Sequence, residues 1–200
     1  TFNNIIEKMN SAISHRGPDS SGTWSNKKLG IVLGHQRLSI IDLSINGNQP
    51  MLSCSGRFIV SYNGEIYNHL DIRKELEKNK LNIKWRGYSD TETLIEAIDY
   101  WGIENTLKKI DGMFAFAIWD QKECSLTLAR DRIGEKPLYF GWQGKSDNKV
   151  FLFSSELKAL KVHPEFNAQI NTDSVALQLR YNYIPAPYSI YKNIYKLSPG

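Results

Sequence analysis

Seven consecutive residues, Met113 to Trp119 (MFAFAIW), are apolar on both faces of an extended chain. Side chains alternate along a strand, so a sheet that meets water on one side reads apolar-polar, and a strand with no polar position must be covered from above and below. The chain is therefore required to build layers on both sides of this segment. A turn at Asp120 to Glu123 and a returning strand at Cys124 to Ala129 (CSLTLA) make it half of a hairpin.

The flanking segments supply the layers. Ile5, Ile6, Met9 and Ile13 recur at helical spacing and predict an amphipathic helix over 3–14, followed by an ordered loop in HRGPDSSG, His15 to Gly22. Leu29 to Ile41 (LGIVLGHQRLSII) reads as strand, break, strand, and Asn46 to Pro50 as a loop. Arg57 to Tyr62 is a further strand, running into what reads as a turn at Asn63-Gly64. Asn68 is placed to cap a helix over 69–80. Ser89 and Glu92 have capping-box spacing ahead of a stripe of Leu94, Ile95, Ile98 and Trp101 that Gly102 ends. Strands follow at 137–140 and 150–154 and a short helix at 155–160, while Asn182 to Gly200, rich in Tyr and Pro, reads as an extended connection rather than core. Antiparallel runs of strands separated by blocks of helices define an α+β protein.

Composition excludes several classes of function. The 25 basic and 21 acidic residues are scattered, which argues against a nucleic-acid surface, and no apolar run approaches the roughly 20 residues of a membrane span. With no secretory leader pattern and only Cys54 and Cys124, a reducing cytoplasm is the expected compartment and both thiols read as incidental. His15, His35, His69 and His163 match no metal-ligand spacing.

Charged residues stand where a core should be forming. Arg37 follows an apolar strand, Glu65 sits between Tyr62 and Ile66, and Asp90 opens a helix. A planar guanidinium suits a carboxylate and two acids suit an ammonium, so the three together would read the head group of a free amino acid. Asn63 and Gly64 add an amide and a backbone N–H fit to hold a developing oxyanion. Singly, each has a plainer explanation: a hairpin turn, a surface Arg, a helix-end acid.

Jointly they carry a resemblance. HRGPD from His15, HQRLSIID from His35, NQPM from Asn48, YNGEIYN from Tyr62, SDTE from Ser89, DGMFAFAIWD from Asp111 and ARDRIGEKPLYF from Ala129 occur in one order over nearly the whole chain. The chain thereby resembles the class II glutamine amidotransferase domain of glutamine-hydrolysing asparagine synthetases. The resemblance implies a four-layer αββα N-terminal-nucleophile sandwich with mostly antiparallel sheets. It implies an amidotransferase domain over 1–170, lacking its first strand, and a connection over 171–200 into an ATP-dependent synthetase domain. In the implied site Arg37 binds the glutamine α-carboxylate, with Leu38, Ser39, Ile40 and Ile41 lining the pocket. Asn63 and Gly64 form the oxyanion hole, and Glu65 and Asp90 hold the α-ammonium.

The implied nucleophile is an N-terminal cysteine; Thr1 leads straight into the first helix and is rejected for that role, so the nucleophile is expected upstream. Glutamine would be hydrolysed to glutamate and ammonia without a cofactor or metal. ATP and magnesium would serve the full-length synthetase, in which the ammonia amidates aspartate or a related carboxylate. The implied partners are glutamine and the C-terminal synthetase domain, with no nucleic acid or membrane and room for a homodimer. A relative that has lost its cysteine and acts as a structural module is the alternative, decided by whether Cys follows the initiator Met. The segment from Arg130 to Phe140 has no legible role beyond facing a partner domain.

Overall fold

The computed structural model describes residues 2–79, 83–145 and 148–200. Its first half runs α1 (Phe2–Ala12), β1 (Ser20–Asn26), β2 (Ile31–Arg37), β3 (Met51–Leu52), β4 (Phe58–Ile66), α2 (His69–Lys78) and α3 (Asp90–Trp101). The rest runs α4 (Ile103–Lys109), β5 (Gly112–Asp120), β6 (Ser125–Arg130), β7 (Tyr139–Gln143), β8 (Val150–Ser154), α5 (Leu157–Lys161), α6 (Thr172–Tyr181) and β9 (Tyr195–Lys196). Among the described residues the strands form three antiparallel sheets, in the orders β1-β2, β3-β4-β5-β6 and β8-β7-β9.

The doubly apolar segment is β5, and both its faces are covered. Phe114, Phe116 and Ile118, with Phe58, Val60 and Tyr62 of β4, pack on Ile72 and Leu76 of α2 and Leu94, Ile95 and Ile98 of α3. From the other face Trp119 joins Ile59 and Leu33, with Trp24, Ile31 and Phe153 alongside, so the central sheet stacks on the two smaller ones. Ile5, Ile6 and Met9 of α1 then close the far side with Leu152, Leu160 and Ile194. The layers are helix, sheet, sheet, helix. Each fully buried large apolar side chain in them contributes about 1.5–3 kcal/mol. Among the described residues no helix is long and apolar enough to cross a membrane.

Several expectations need correction. Asn63 and Gly64 are not a turn: β4 runs through them to Ile66, with Asn63 opposite Ala115 and Gly64 opposite Phe114. Cross-strand pairing with β5 overrides the local turn preference. Gly64 is not among the positive-φ glycines of the described residues, as a two-residue hairpin turn there would require. Its use is proximity, because a Cβ there would lie 2.2 Å from the Met113 carbonyl oxygen. Leu29 to Ile41 holds one strand rather than two. Gly34 sits within β2 opposite Thr23, where a Cβ would meet Asn10 Oδ1 of α1 at 2.4 Å.

The loop expected through Gly22 becomes strand at Ser20, hidden by the polar alternation of a half-exposed hairpin. Helices α4 and α6 were not foreseen, and the tail is not merely a connection: β9 pairs with β7 and Ile194 is 1% exposed in the outer core. Ser89 does cap α3, accepting the Glu92 N–H at 3.2 Å, and Gly102 ends it with φ +80. Asn68 makes no capping bond, its side chain joining the Lys109 carbonyl and the Asp111 N–H instead. The expected end of that helix at Lys80 and the rejected Thr1 both lie outside the described residues.

Candidate active site

The cleft forms along the edge of β4 beyond the short β3. Residues 62, 64 and 66 are the positions of β4 whose N–H groups point away from β5, by the alternation of an antiparallel ladder. The Tyr62 N–H goes to Gln49 Oε1 at 2.7 Å and the Ile66 N–H to Asp90 Oδ2 at 2.9 Å. Between them the Gly64 N–H faces the cleft. Asn63 lines the same cleft, and its Nδ2 is buried without a hydrogen-bond partner among the described residues. An amide donor without a protein partner at the wall of a cleft can bond water or any acceptor that enters the cleft.

Arg37 ends β2 and is 8% exposed. Its Nη1 donates to the Ser44 carbonyl at 2.8 Å and to Asn48 Oδ1 at 2.9 Å, and Nη2 donates to the Asp42 carbonyl. These acceptors are neutral, and no carboxylate pairs with Arg37 among the described residues. Its positive charge thus stays available to an anion in the cleft.

Asp90 is the first residue of α3 and 5% exposed. Its Oδ2 also accepts the Tyr62 hydroxyl at 2.8 Å. Burial and then the Asp90 charge raise the Tyr62 phenol well above its usual range, so it stays protonated and keeps its O–H for Asp90. Glu65 is half-buried on the same cleft with no hydrogen-bonded or ion-paired partner among the described residues.

The cleft, of about 280 Å³, brings together Arg37, Leu38, Ile40, Ile41, Asn63, Gly64, Glu65 and Asp90. Ser39 alone of the expected set does not line it; its N–H is held by Asp19 Oδ2 at 2.7 Å. Leu38 and Ile40 are exposed at the rim. Neither Cys54 nor Cys124 lines the cleft, and burial and the nearby Glu96 push the Cys54 thiol up to about 11.

Sequence reasoning missed three supports. Gln49 splints Tyr62, a role that only the NQPM segment hinted at. Asp42 accepts the Ser44 N–H at 2.8 Å and the Tyr88 N–H at 2.9 Å. His35 Nε2 donates to the Tyr62 carbonyl at 2.9 Å, and burial lowers its pKa to about 4 against that bond, with Arg37 adding to the fall. His35 is therefore a neutral ring, and its Nδ1 is buried without a partner among the described residues.

The loop of HRGPD is pinned by Glu156, which receives His15 Nε2 at 2.9 Å, Arg16 Nη1 at 3.1 Å and Lys158 Nζ at 3.1 Å. Partial burial works against ionisation, but these bonds hold the Glu156 carboxyl at about 2. Arg16 and Lys136 complete the cleft wall. In the RDRIGEKPLYF segment, Asp131 accepts the N–H groups of Ile133, Gly134, Glu135 and Lys136 and that of Phe114 on β5, so one carboxylate shapes the loop carrying Lys136.

A second, apolar groove of about 200 Å³ adjoins the cleft and shares Arg16, His35, Gln36, Tyr62 and Asn63 with it. It runs between β2 and β8, floored by Ala115 and Ala117 and roofed by Ile5, Ile6 and Met9.

The fold is thus a four-layer αββα sandwich in which one cleft gathers Arg37, two acids and an amide donor that is unpaired among the described residues. The glutamine phosphoribosylpyrophosphate amidotransferase of B. subtilis shares the fold, with a TM-score of 0.62 at 21% identity over 80% of this chain and 40% of that one. More narrowly, the chain belongs to the glutamine amidotransferase domain family, whose model matches residues 1–200. It is similar to asparagine synthetase [glutamine-hydrolyzing] 3 of Bacillus subtilis, at 38% identity over 83% of this chain and 26% of that protein. Asparagine synthetase [glutamine-hydrolyzing] 1 of the same organism is 35% identical over 98% of this chain and 29% of its own length. A Methanocaldococcus jannaschii protein provisionally named as a glutamine-hydrolyzing asparagine synthetase is 40% identical over 96% of this chain and 39% of its own length. The chain thus spans well under half the length of these relatives.

Proposed function

We propose that this chain is the glutaminase part of a glutamine-hydrolysing asparagine synthetase or a synthetase of related acceptor. The observation that carries the proposal is the buried Nδ2 of Asn63, unpaired among the described residues, in a cleft that also holds Arg37 and the acids Glu65 and Asp90. The glutamine α-carboxylate docks on Arg37 and its α-ammonium on Glu65 and Asp90. Its side-chain carbonyl then meets Asn63 Nδ2 and the Gly64 N–H. Attack by a thiolate on the amide carbon moves charge onto that oxygen, where the two fixed donors stabilise it more than they stabilise the neutral amide. Ammonia leaves, and water cleaves the thioester through a second oxyanion held in the same way.

The nucleophile belongs on a strand laid in the groove between β2 and β8, which opens on Asn63. Ala115 and Ala117 leave room there, and a cysteine at the start of such a strand would reach the cleft. The neutral His35 would offer Nδ1 to a donor arriving on it.

In the whole protein the ammonia would pass to an ATP- and magnesium-dependent domain that activates aspartate or a similar carboxylate, in the cytoplasm. The Ser-Gly-Gly phosphate loop expected of that domain does not occur in these 200 residues, so no step here runs through ATP or magnesium. Ammonia release from glutamine by the full-length protein, together with labelling of an N-terminal cysteine by a glutamine-mimicking electrophile, tests the proposal. Absence of both would leave the domain as an interaction module.

A further inference from the structure

The loop after β2 and the segment leading into α3 meet on a single side chain, Asp42, which is 6% exposed. On the loop side, the Asp42 carbonyl receives Nη2 of Arg37, and Asp42 Oδ1 receives the Ser44 N–H at 2.8 Å. Ser44 in turn presents its own carbonyl to Nη1 of Arg37 at 2.8 Å. The carboxylate thus folds the loop into the cradle that holds the guanidinium.

On the other side, Asp42 Oδ2 receives the Tyr88 N–H at 2.9 Å, two residues before Asp90. A Cβ at Gly87 would lie 2.2 Å from the same oxygen, so the backbone comes this close only as glycine. The segment is tied to α3, because the fully buried Glu92 accepts the N–H groups of Arg86 at 2.8 Å and Gly87 at 3.0 Å.

Arg37 and Asp90 stand on different elements, the end of β2 and the start of α3, whereas an amino acid presents its carboxylate and ammonium at one fixed separation. A site for such a head group needs its cation and its anion held at a matching separation. We propose that Asp42 is a positioning residue for head-group recognition, setting Arg37 and Asp90 relative to one another without touching the substrate. This rests on the head-group assignment made above.

The test is the affinity of the full-length protein for L-glutamate, which carries the same head group, measured by titration calorimetry. Asp42→Ala should weaken it about tenfold. Gly87→Ala, whose methyl must displace the carboxylate, should weaken it likewise from the opposite element. In an Arg37→Ala background, Asp42→Ala should add little further loss, because it acts through Arg37. A role confined to stability would lower the melting temperature and leave these affinities in place. Unchanged affinity in folded Asp42→Ala, or in Gly87→Ala should Asp42→Ala not fold, overturns the proposal, as does full additivity with Arg37→Ala. If Arg37→Ala alone leaves glutamate binding intact, the head-group assignment fails first and the proposal falls with it.

Discussion

The Tyr62 hydroxyl and the Asp90 carboxylate meet at 2.8 Å, and the same carboxylate oxygen accepts the Ile66 N–H at 2.9 Å. Asp90 therefore has two separable effects. Asp90→Ala takes the acceptor from three buried donors, the Tyr62 hydroxyl and the Ile66 and Thr91 N–H groups, and should cost at least about 1–3 kcal/mol in denaturant unfolding. It should also raise the KM for glutamine.

Arg37→Ala should raise the glutamine KM strongly, while synthesis driven by added ammonia survives in the full-length protein. That split separates a defect in glutamine capture from a defect in folding. Steady-state kinetics with each nitrogen donor checks it, and equal loss with both donors would exclude a head-group role.

Asn63→Ala should depress kcat for glutamine hydrolysis by about 10² to 10³, as expected of an oxyanion donor. Stability should hardly change, since Asn63 Nδ2 has no partner to lose among the described residues. Gly64→Ala should instead destabilise by about 1–3 kcal/mol, because its methyl collides with backbone that cannot retreat. Kinetics and urea midpoints on both variants distinguish the two outcomes.

His35 supplies a pH dependence. Its pKa is lowered from 6.5 to about 4, so below about 6.5 the unfolded chain takes up a proton that the folded chain refuses. Stability should fall as pH drops from about 6.5 to about 4, and His35→Gln should flatten that part of the profile. Urea midpoints across the window check it.

Glu156 acts at lower pH. Its pKa is lowered from 4.5 to about 2, so its contribution is whole above 4.5 and is lost as pH falls toward 2. Glu156→Gln should destabilise at pH 7 and differ little from the parent near pH 2, read from thermal midpoints at the two pH values.

The layers were legible because β5 has no polar residue at 113–119 and can exist only between two covers. Ser89 and Gly102 were legible because a cap and a stop are local chemistry. Asn63-Gly64 misled because its meaning is not local: the dipeptide favours a turn, and only the register against Ala115 and Phe114 keeps it extended. The polar residues that made β4 look finished at Tyr62 are those that line the cleft. The tail misled similarly, since two residues of pairing with β7 and one buried Ile194 leave no periodicity to read.

Asn63 and Gly64 are neighbours held by opposite kinds of constraint. Gly64 is fixed by the Met113 carbonyl 2.2 Å from where its Cβ would be, whatever chemistry the cleft performs, whereas Asn63 Nδ2 has no bond to keep among the described residues. A lineage that gave up glutamine hydrolysis would be free to lose the asparagine long before it could lose the glycine. If Asn63 is the proposed oxyanion donor, the amide, not the glycine beside it, is the position whose drift would mark a domain that has stopped being an enzyme.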